Sequence, residues 1–187
     1  MVRLARAEVF DSAEIAIAHV YNRTIRRCFL MGDDAVSGKN FDHRKVCIEN
    51  YLRQFAAAFG IDLLGFAILS NHFHLILRTR PNVVAMWDDR EVARRWWMLC
   101  PHRRSADSAP MPPTQPEINS IAGCPVKCAE ICQRLSSIIW WMRLLCQRVA
   151  QRANHEEEEN GRFFQDRYRA TRLVDEACRR RRLSCKR

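Results

Sequence analysis

Two apolar runs separated by only two residues constrain this chain more than any other feature. Ile61-Asp-Leu-Leu-Gly-Phe-Ala-Ile-Leu69 and His72-Phe-His-Leu-Ile-Leu-Arg78 flank Ser70-Asn71, and Pro81 closes the second run. Runs of this length joined by so short a polar link predict a β-hairpin. Ahead of it Ile48, Tyr51, Leu52, Phe55 and Phe59 recur at three- and four-residue intervals. That spacing predicts an amphipathic helix, with Asp42 able to cap its start and Gly60 ending it. Farther upstream, residues 14–20 are short, apolar and partly alternating, as expected of a first strand. Asn22 to Arg27 reads as a basic turn or strand end, and residues 33–40 as a loop. The order strand, helix, strand, tight turn, strand opens a ferredoxin-like, split βαβ arrangement. The expected class is therefore α+β, an antiparallel sheet with helices packed on one face.

After Pro81 the pattern becomes helical. Residues 83–99 carry Trp87, Trp96 and Trp97; residues 101–117, with five prolines, read as a linker; and residues 126–154 form a second helical block. In that block Leu135, Ile138, Ile139, Met142, Leu145 and Val149 mark one apolar face beside Trp140 and Trp141, a stripe that reads as core. We expect one domain over residues 1–178, with residues 82–155 as a helical insertion. Four acids at 156–159 are expected to sit solvated between elements, and a final helix is expected to begin near Val174. Arg179 to Arg182 and the residues up to 187 lack apolar periodicity and read as a disordered basic tail.

Composition narrows the class of partner. Thirty-one Lys and Arg against 21 Asp and Glu give a formal charge of +10, which favours a polyanion such as nucleic acid. No stretch approaches the roughly 20 apolar residues that cross a bilayer, and Met1-Val2-Arg3-Leu4-Ala5-Arg6 lacks the apolar core of a signal peptide, so the expectation is a cytoplasmic protein without a membrane partner. The nine cysteines are an odd number and read as reduced thiols. Cys124, Cys128 and Cys132, four apart, read as a buried stripe along a helix.

Chemistry concentrates at Asn71-His72-Phe73-His74. Side chains two apart on a strand leave the same face, roughly 7 Å apart at the backbone, so His72 and His74 project together while Phe73 points away. Two neutral imidazoles can share a divalent ion, with magnesium acceptable where phosphate and water oxygens complete its shell.

The stretch Leu64-Gly-Phe-Ala-Ile-Leu-Ser-Asn-His-Phe-His-Leu-Ile-Leu77, with His19-Val-Tyr-Asn-Arg23 before it, resembles the HUH single-tyrosine transposases, particularly the branch containing the REP-associated tyrosine transposases. Gly161-Arg-Phe-Phe-Gln-Asp-Arg-Tyr-Arg-Ala170 and Leu173-Val-Asp-Glu-Ala177 are similar to that branch's downstream segment. The resemblance implies a metal-dependent DNA transposase acting on single-stranded or hairpin DNA, with magnesium or manganese as cofactor and a homodimer as assembly. It implies His72 and His74 as metal ligands and a tyrosine that attacks the scissile phosphate, forming a 5′-phosphotyrosine and freeing a 3′-hydroxyl. It identifies no third metal ligand here.

The family's nucleophile sits on a helix after the Asp-Glu-Ala segment, in a motif ending Asn-Pro-h-Arg-Ala (h, apolar). This chain instead runs into Arg179-Arg-Arg-Arg, and the expectation is a chain truncated before that helix. Of its three tyrosines, Tyr21 and Tyr51 read as packing residues, and Tyr168, between Arg167 and Arg169, is the candidate substitute nucleophile. Arg23, Arg26 and Arg27 after the first strand, and Arg162, Arg167 and Arg169 among aromatics, are the candidate DNA contacts. His19 reads as a satisfied core histidine, with a place beside the site as the alternative. Two rival functions stand: a DNA-binding remnant without cleavage, and an unrelated metal hydrolase, which needs a carboxylate ligand or base that the sequence does not supply.

Overall fold

The computed structural model describes residues 14–25, 28–105 and 110–173. Four strands, β1 (Ile17–Arg23), β2 (Ile61–Ile68), β3 (His72–Thr79) and β4 (Arg169–Leu173), form one sheet in the order β2-β3-β1-β4. Every neighbouring pair is antiparallel. With helix α1 (Asp42–Ala58) between β1 and β2, this is the ferredoxin-like α+β arrangement that the hairpin and the preceding helix predict.

Among the described residues five helices separate β3 from β4: α2 (Pro81–Val84), α3 (Asp89–Leu99), α4 (Gln115–Ala122), α5 (Pro125–Leu135) and α6 (Ile138–Glu157). The two helical blocks expected from sequence are thus each divided. Asp88 stops the first by turning extended and accepting the Glu91 amide as an N-cap. A capping box between Thr114 and Glu117 starts α4 inside the proline-rich stretch read as linker, and Ser136-Ser137 breaks α5 from α6. Asp42 is the first residue of α1 and not its cap; its carboxylate takes the amide of Gly32 in the preceding loop.

Alternation along the strands assigns the two faces of the sheet. Ala18, Val20 and Asn22 of β1 and Phe73, Leu75, Leu77 and Thr79 of β3 are buried beneath the helices, whereas the residues between them are half-buried or exposed. Ile48, Leu52 and Phe55 of α1 and Trp141, Met142 and Leu145 of α6 close the core on that side. The Phe55 ring meets Trp141 edge-on, with centroids 5.4 Å apart. Gly60, at the turn from α1 into β2, is required by packing: a Cβ there would lie 2.0 Å from Val84 Cγ2.

The acid run is exposed at Glu156, Glu158 and Glu159 as expected, but its first half does not lie between elements. Glu156 and Glu157 still belong to the last turn of α6 and reach back to the start of α1, where Arg44, only 3 % exposed, pairs with both and donates to the Phe29 carbonyl. Glu158 then ends the helix in the left-handed region, at φ 55°. No helix among the described residues is long and apolar enough to cross a membrane. The helix expected near Val174, the basic tail 179–187, and Arg26 and Arg27 lie outside the described residues.

Candidate functional site

The face of the sheet turned away from the helices gathers His19 and Tyr21 from β1 with His72 and His74 from β3. Register fixes the grouping: Tyr21 lies opposite His74, and Arg23 opposite His72. Tyr21 also pairs with Arg169 on β4, and His74 with Ala67 on β2, so one row crosses the sheet as Ala67, His74, Tyr21, Arg169. The next row in that phase holds Gly65, Ile76, His19 and Thr171. Because β2 contributes only Gly65 and Ala67 beside the histidines, the surface is low there; a Cβ added at Gly65 would meet nothing within 4 Å.

The rings are tightly placed. His19 and His74 stack with planes 7° apart and centroids 5.0 Å apart, and His19 Nε2 lies 2.8 Å from His74 Nδ1. Tyr21 stacks on His74 with centroids 5.4 Å apart. His72 stands nearly perpendicular to His74, centroids 5.1 Å apart, and its Nδ1 is 2.8 Å from the Asn71 side-chain oxygen. Burial, with His19 and then His72 adding repulsion of a like charge, lowers the pKa of His74 and favours its neutral ring.

These contacts leave the two Nε2 atoms of the His-x-His pair as the available donors. An amide oxygen only accepts, so the Asn71 contact puts the proton of His72 on Nδ1 and the lone pair on Nε2. In the His19–His74 pair one nitrogen carries the shared proton. When His74 donates it, its Nε2 is likewise free to ligate, in the pattern by which outer partners orient metal-binding histidines.

The spacing fits a shared ion. Nitrogens about 2.1 Å from an ion place ring centres roughly 3.2 Å from it, so a bond angle of about 90–110° separates the centroids by about 4.5–5.2 Å. Among the described residues no set of three or more His, Cys, Asp or Glu side chains is arranged to hold a metal, so an ion on this face would take at most the two imidazoles from these residues. The strand carboxylate on this face, Asp62, lies opposite Arg78, four residues along β3 from His74. Burial raises its pKa but hydrogen bonds from Arg78 and Arg80 outweigh that and lower it, so it is committed away from the histidines.

The other residues singled out by sequence divide between the two faces. Arg23 and Arg169 are exposed and flank the histidine rows. Arg162 and Arg167 are exposed on the far side of β1, where they and Arg143 line a cleft of about 800 Å³ between α6 and residues 161–168. Tyr168 lines that cleft with Asn22 and Cys146 and is 6 % exposed, packed into the core instead of standing beside His72 and His74. The expected role for it as nucleophile therefore has no geometric support. Tyr51, half-buried on α1, lies on the helical side as well.

Two residues gain a place that the sequence reading did not give them, and a third takes its alternative. Tyr21, read as packing, stacks on the histidine face, and Asn71, read as a turn residue, orients His72; His19, read as a core histidine with a place beside the site as the alternative, lies on that face and bonds His74. The signal for His19 and Tyr21 was their alternation with Ala18 and Val20, once β1 is set at residues 17–23. Asn71 is held by its own backbone oxygen, which accepts the Thr24 amide at 2.9 Å. No protein-family model and no curated protein matches the chain.

Proposed function

We propose that this chain is a transposase-type protein of the HUH single-tyrosine kind that binds single-stranded or hairpin DNA across the open face of its sheet, in the cytoplasm. The observation that carries the reading is the row structure of that face: a His-x-His pair whose Nδ1 atoms are each engaged by an orienting partner, flanking arginines and a low, side-chain-poor flank at Gly65 and Ala67. His72 and His74 would hold a divalent magnesium or manganese ion, which when bound supplies charge neutralisation at a phosphate oxygen. His19 and Asn71 fix the tautomers and ring directions, and Arg23 and Arg169 draw the phosphate backbone along the strands. Homodimer formation is part of the proposal; β2 is an edge strand with Leu64 and Phe66 each 48 % exposed, a surface suited to pairing with a second copy.

A second reading, DNA binding without strand cleavage, is favoured by one observation: Tyr168 is packed into the core, and Tyr21 is the tyrosine that shares the histidine face. The two readings separate in one assay. Labelled hairpin oligonucleotide is incubated with the protein and Mn²⁺ or Mg²⁺, and a protein–DNA adduct that survives denaturation is sought. An adduct lost in His72→Ala establishes the cleavage type, and its loss in Tyr21→Phe but not Tyr168→Phe names the nucleophile. Metal-independent DNA binding with no adduct leaves the binding protein. Failure to bind either DNA or metal sinks both readings.

A further inference from the structure

The cleft of about 800 Å³ between α6 and residues 161–168 lies within the roughly 300–1,000 Å³ of small-molecule sites. Ile139, Arg143, Cys146, Gln147 and Ala150 follow the three- and four-residue spacing of one helix face, which forms one wall. Arg162 and Arg167 stand on the other wall, in the segment that leads into β4. Arg143, Arg162 and Arg167 are exposed, and among the described residues none of the three pairs with an acid. Asp166, the acid in this lining, accepts the Arg167 amide at 2.7 Å. Elsewhere on the helical side Arg44, Arg95, Arg103 and Arg134 are each matched by a glutamate, so the positive charge of this cleft is a local feature.

The walls are fixed by the chain's own contacts. The Ile25 amide donates to the Phe163 carbonyl and the Gln165 amide to the Arg23 carbonyl, both at 2.9 Å, which ties the second wall to the end of β1. The Asn154 side chain donates to the Gly161 carbonyl at 2.9 Å, and Gly161 itself, at φ 136°, takes a conformation that a side chain would strain. Arg162 donates to the Gln165 carbonyl at 3.2 Å, and the Arg143 guanidinium lies 4.7 Å from the Trp140 ring centre. Guanidinium forks held in this way match phosphate geometry. Beside them Ile139, 41 % exposed, and half-buried Ala150 offer apolar surface, and exposed Gln147 offers an amide with both a donor and an acceptor. A phosphate next to a flat apolar body with hydrogen-bonding edges is the chemistry of a nucleotide. Arg167 stands two residues before Arg169, which flanks the histidine rows, so no more than about 7 Å of backbone separates the two. A strand lying on the histidine face can therefore reach the cleft.

We infer that this cleft is a nucleotide site, taking the phosphate of a nucleotide, either free or within a DNA strand, among Arg143, Arg162 and Arg167 and its base against Ile139, Gln147 and Ala150 of α6. The site stands whether or not the histidine face binds metal.

The test uses the full chain, wild type and variants, with two probes: a fluorescent oligothymidine of about twelve nucleotides and free thymidine 5′-monophosphate, both without added metal. Arg143→Gln/Arg167→Gln is expected to weaken binding at least about tenfold at about 0.1 M salt and to shrink the oligonucleotide's salt slope by about 0.7 per lost contact. Removing two charges elsewhere, in Arg53→Gln/Arg94→Gln, is expected to cost less than about threefold. Ile139→Asp leaves every arginine in place and puts a carboxylate in the cleft; Ile139 is exposed in the first turn of α6, where an acid is tolerated, so this variant carries the test should the double one fail to fold. His72→Ala/His74→Ala is expected to keep mononucleotide binding, which separates this inference from the reading of the histidine face. If the cleft variants lose only the mononucleotide, the source is a free nucleotide; if they also lose the oligonucleotide, it is a strand; the site stands in both cases. Binding of both probes by folded cleft variants as by wild type, an equal loss in Arg53→Gln/Arg94→Gln, or no binding of either probe by wild type overturns the inference.

Discussion

Replacing His19 by Phe isolates the part of the histidine site that orients without ligating. Phe keeps the ring that stacks on His74 at 5.0 Å and 7°, and removes the nitrogen 2.8 Å from His74 Nδ1. His74 is then free to place its proton on either nitrogen and to rotate about its last torsion. Loss of an outer partner of a ligating histidine costs about 10- to 100-fold in metal affinity, or roughly 1.4–2.7 kcal/mol. Folding should change by less than about 1 kcal/mol, because His74 is half-buried and water can replace the lost partner. Mn²⁺ binding followed by electron paramagnetic resonance, beside urea unfolding of the same samples, measures both quantities. Manganese affinity within twofold of wild type in His19→Phe would refute the orienting role. Affinity unchanged in His72→Ala/His74→Ala would refute the ligand assignment underneath it.

Three further outcomes are expected. Lowering pH should weaken metal binding and stability together: the folded pKa of His74 lies below its ordinary 6.5, so the unfolded chain protonates first, and the stability present above that value is lost as pH falls towards the folded pKa; a pH series of thermal melts on wild type and His74→Gln reads it. Arg44→Met should cost about 2–3 kcal/mol in urea unfolding, less than a fully buried pair because Glu156 and Glu157 keep partial solvent access. Cys128, whose thiol donates to Asp89 and whose pKa burial and that contact push up to about 12, should resist iodoacetamide at pH 8 while exposed Cys124 reacts, as peptide mapping would report.

The hairpin was legible because its signal is local. Two runs of period-two residues around Ser70-Asn71 leave little alternative, and β2 and β3 end within a residue of their expected limits. The first strand is expected about three residues early, and that shift keeps Tyr21 out of the site. With β1 ending at Val20, Tyr21 falls near the strand's end and Arg23 in a basic turn or strand end; with β1 at Ile17–Arg23, both lie on the face of His72 and His74. Such a placement depends on pairing with a strand some 50 residues away, which no window on the chain contains. The helix breaks at Asp88 and Ser136-Ser137 escaped for a related reason, since apolar spacing runs through them and only capping geometry and packing decide where each helix stops. Glu156 and Glu157 read as solvated because their partner, Arg44, is 112 residues away.

The division of the sheet into two faces decides how far chemistry and stability can be separated in this protein. His19, Tyr21, His72 and His74 are half-buried, and the core beneath them is carried by Ala18, Val20, Phe73 and Leu75. Substitutions on the open face remove little apolar surface from water, so their effects on binding can be read without a large folding term. Phe73 is the exception that couples the two. It is fully buried, meets Phe164 edge-on at 6.0 Å, and sits between the two histidines on the same strand. Truncating it would cost about 3–5 kcal/mol and let β3 shift under both rings at once. Loss of metal or DNA binding in a Phe73 variant would therefore say nothing about contact with either ligand, whereas the same loss in His72→Ala with an unchanged melt would. The face on which a side chain lies decides which of these variants can test the function.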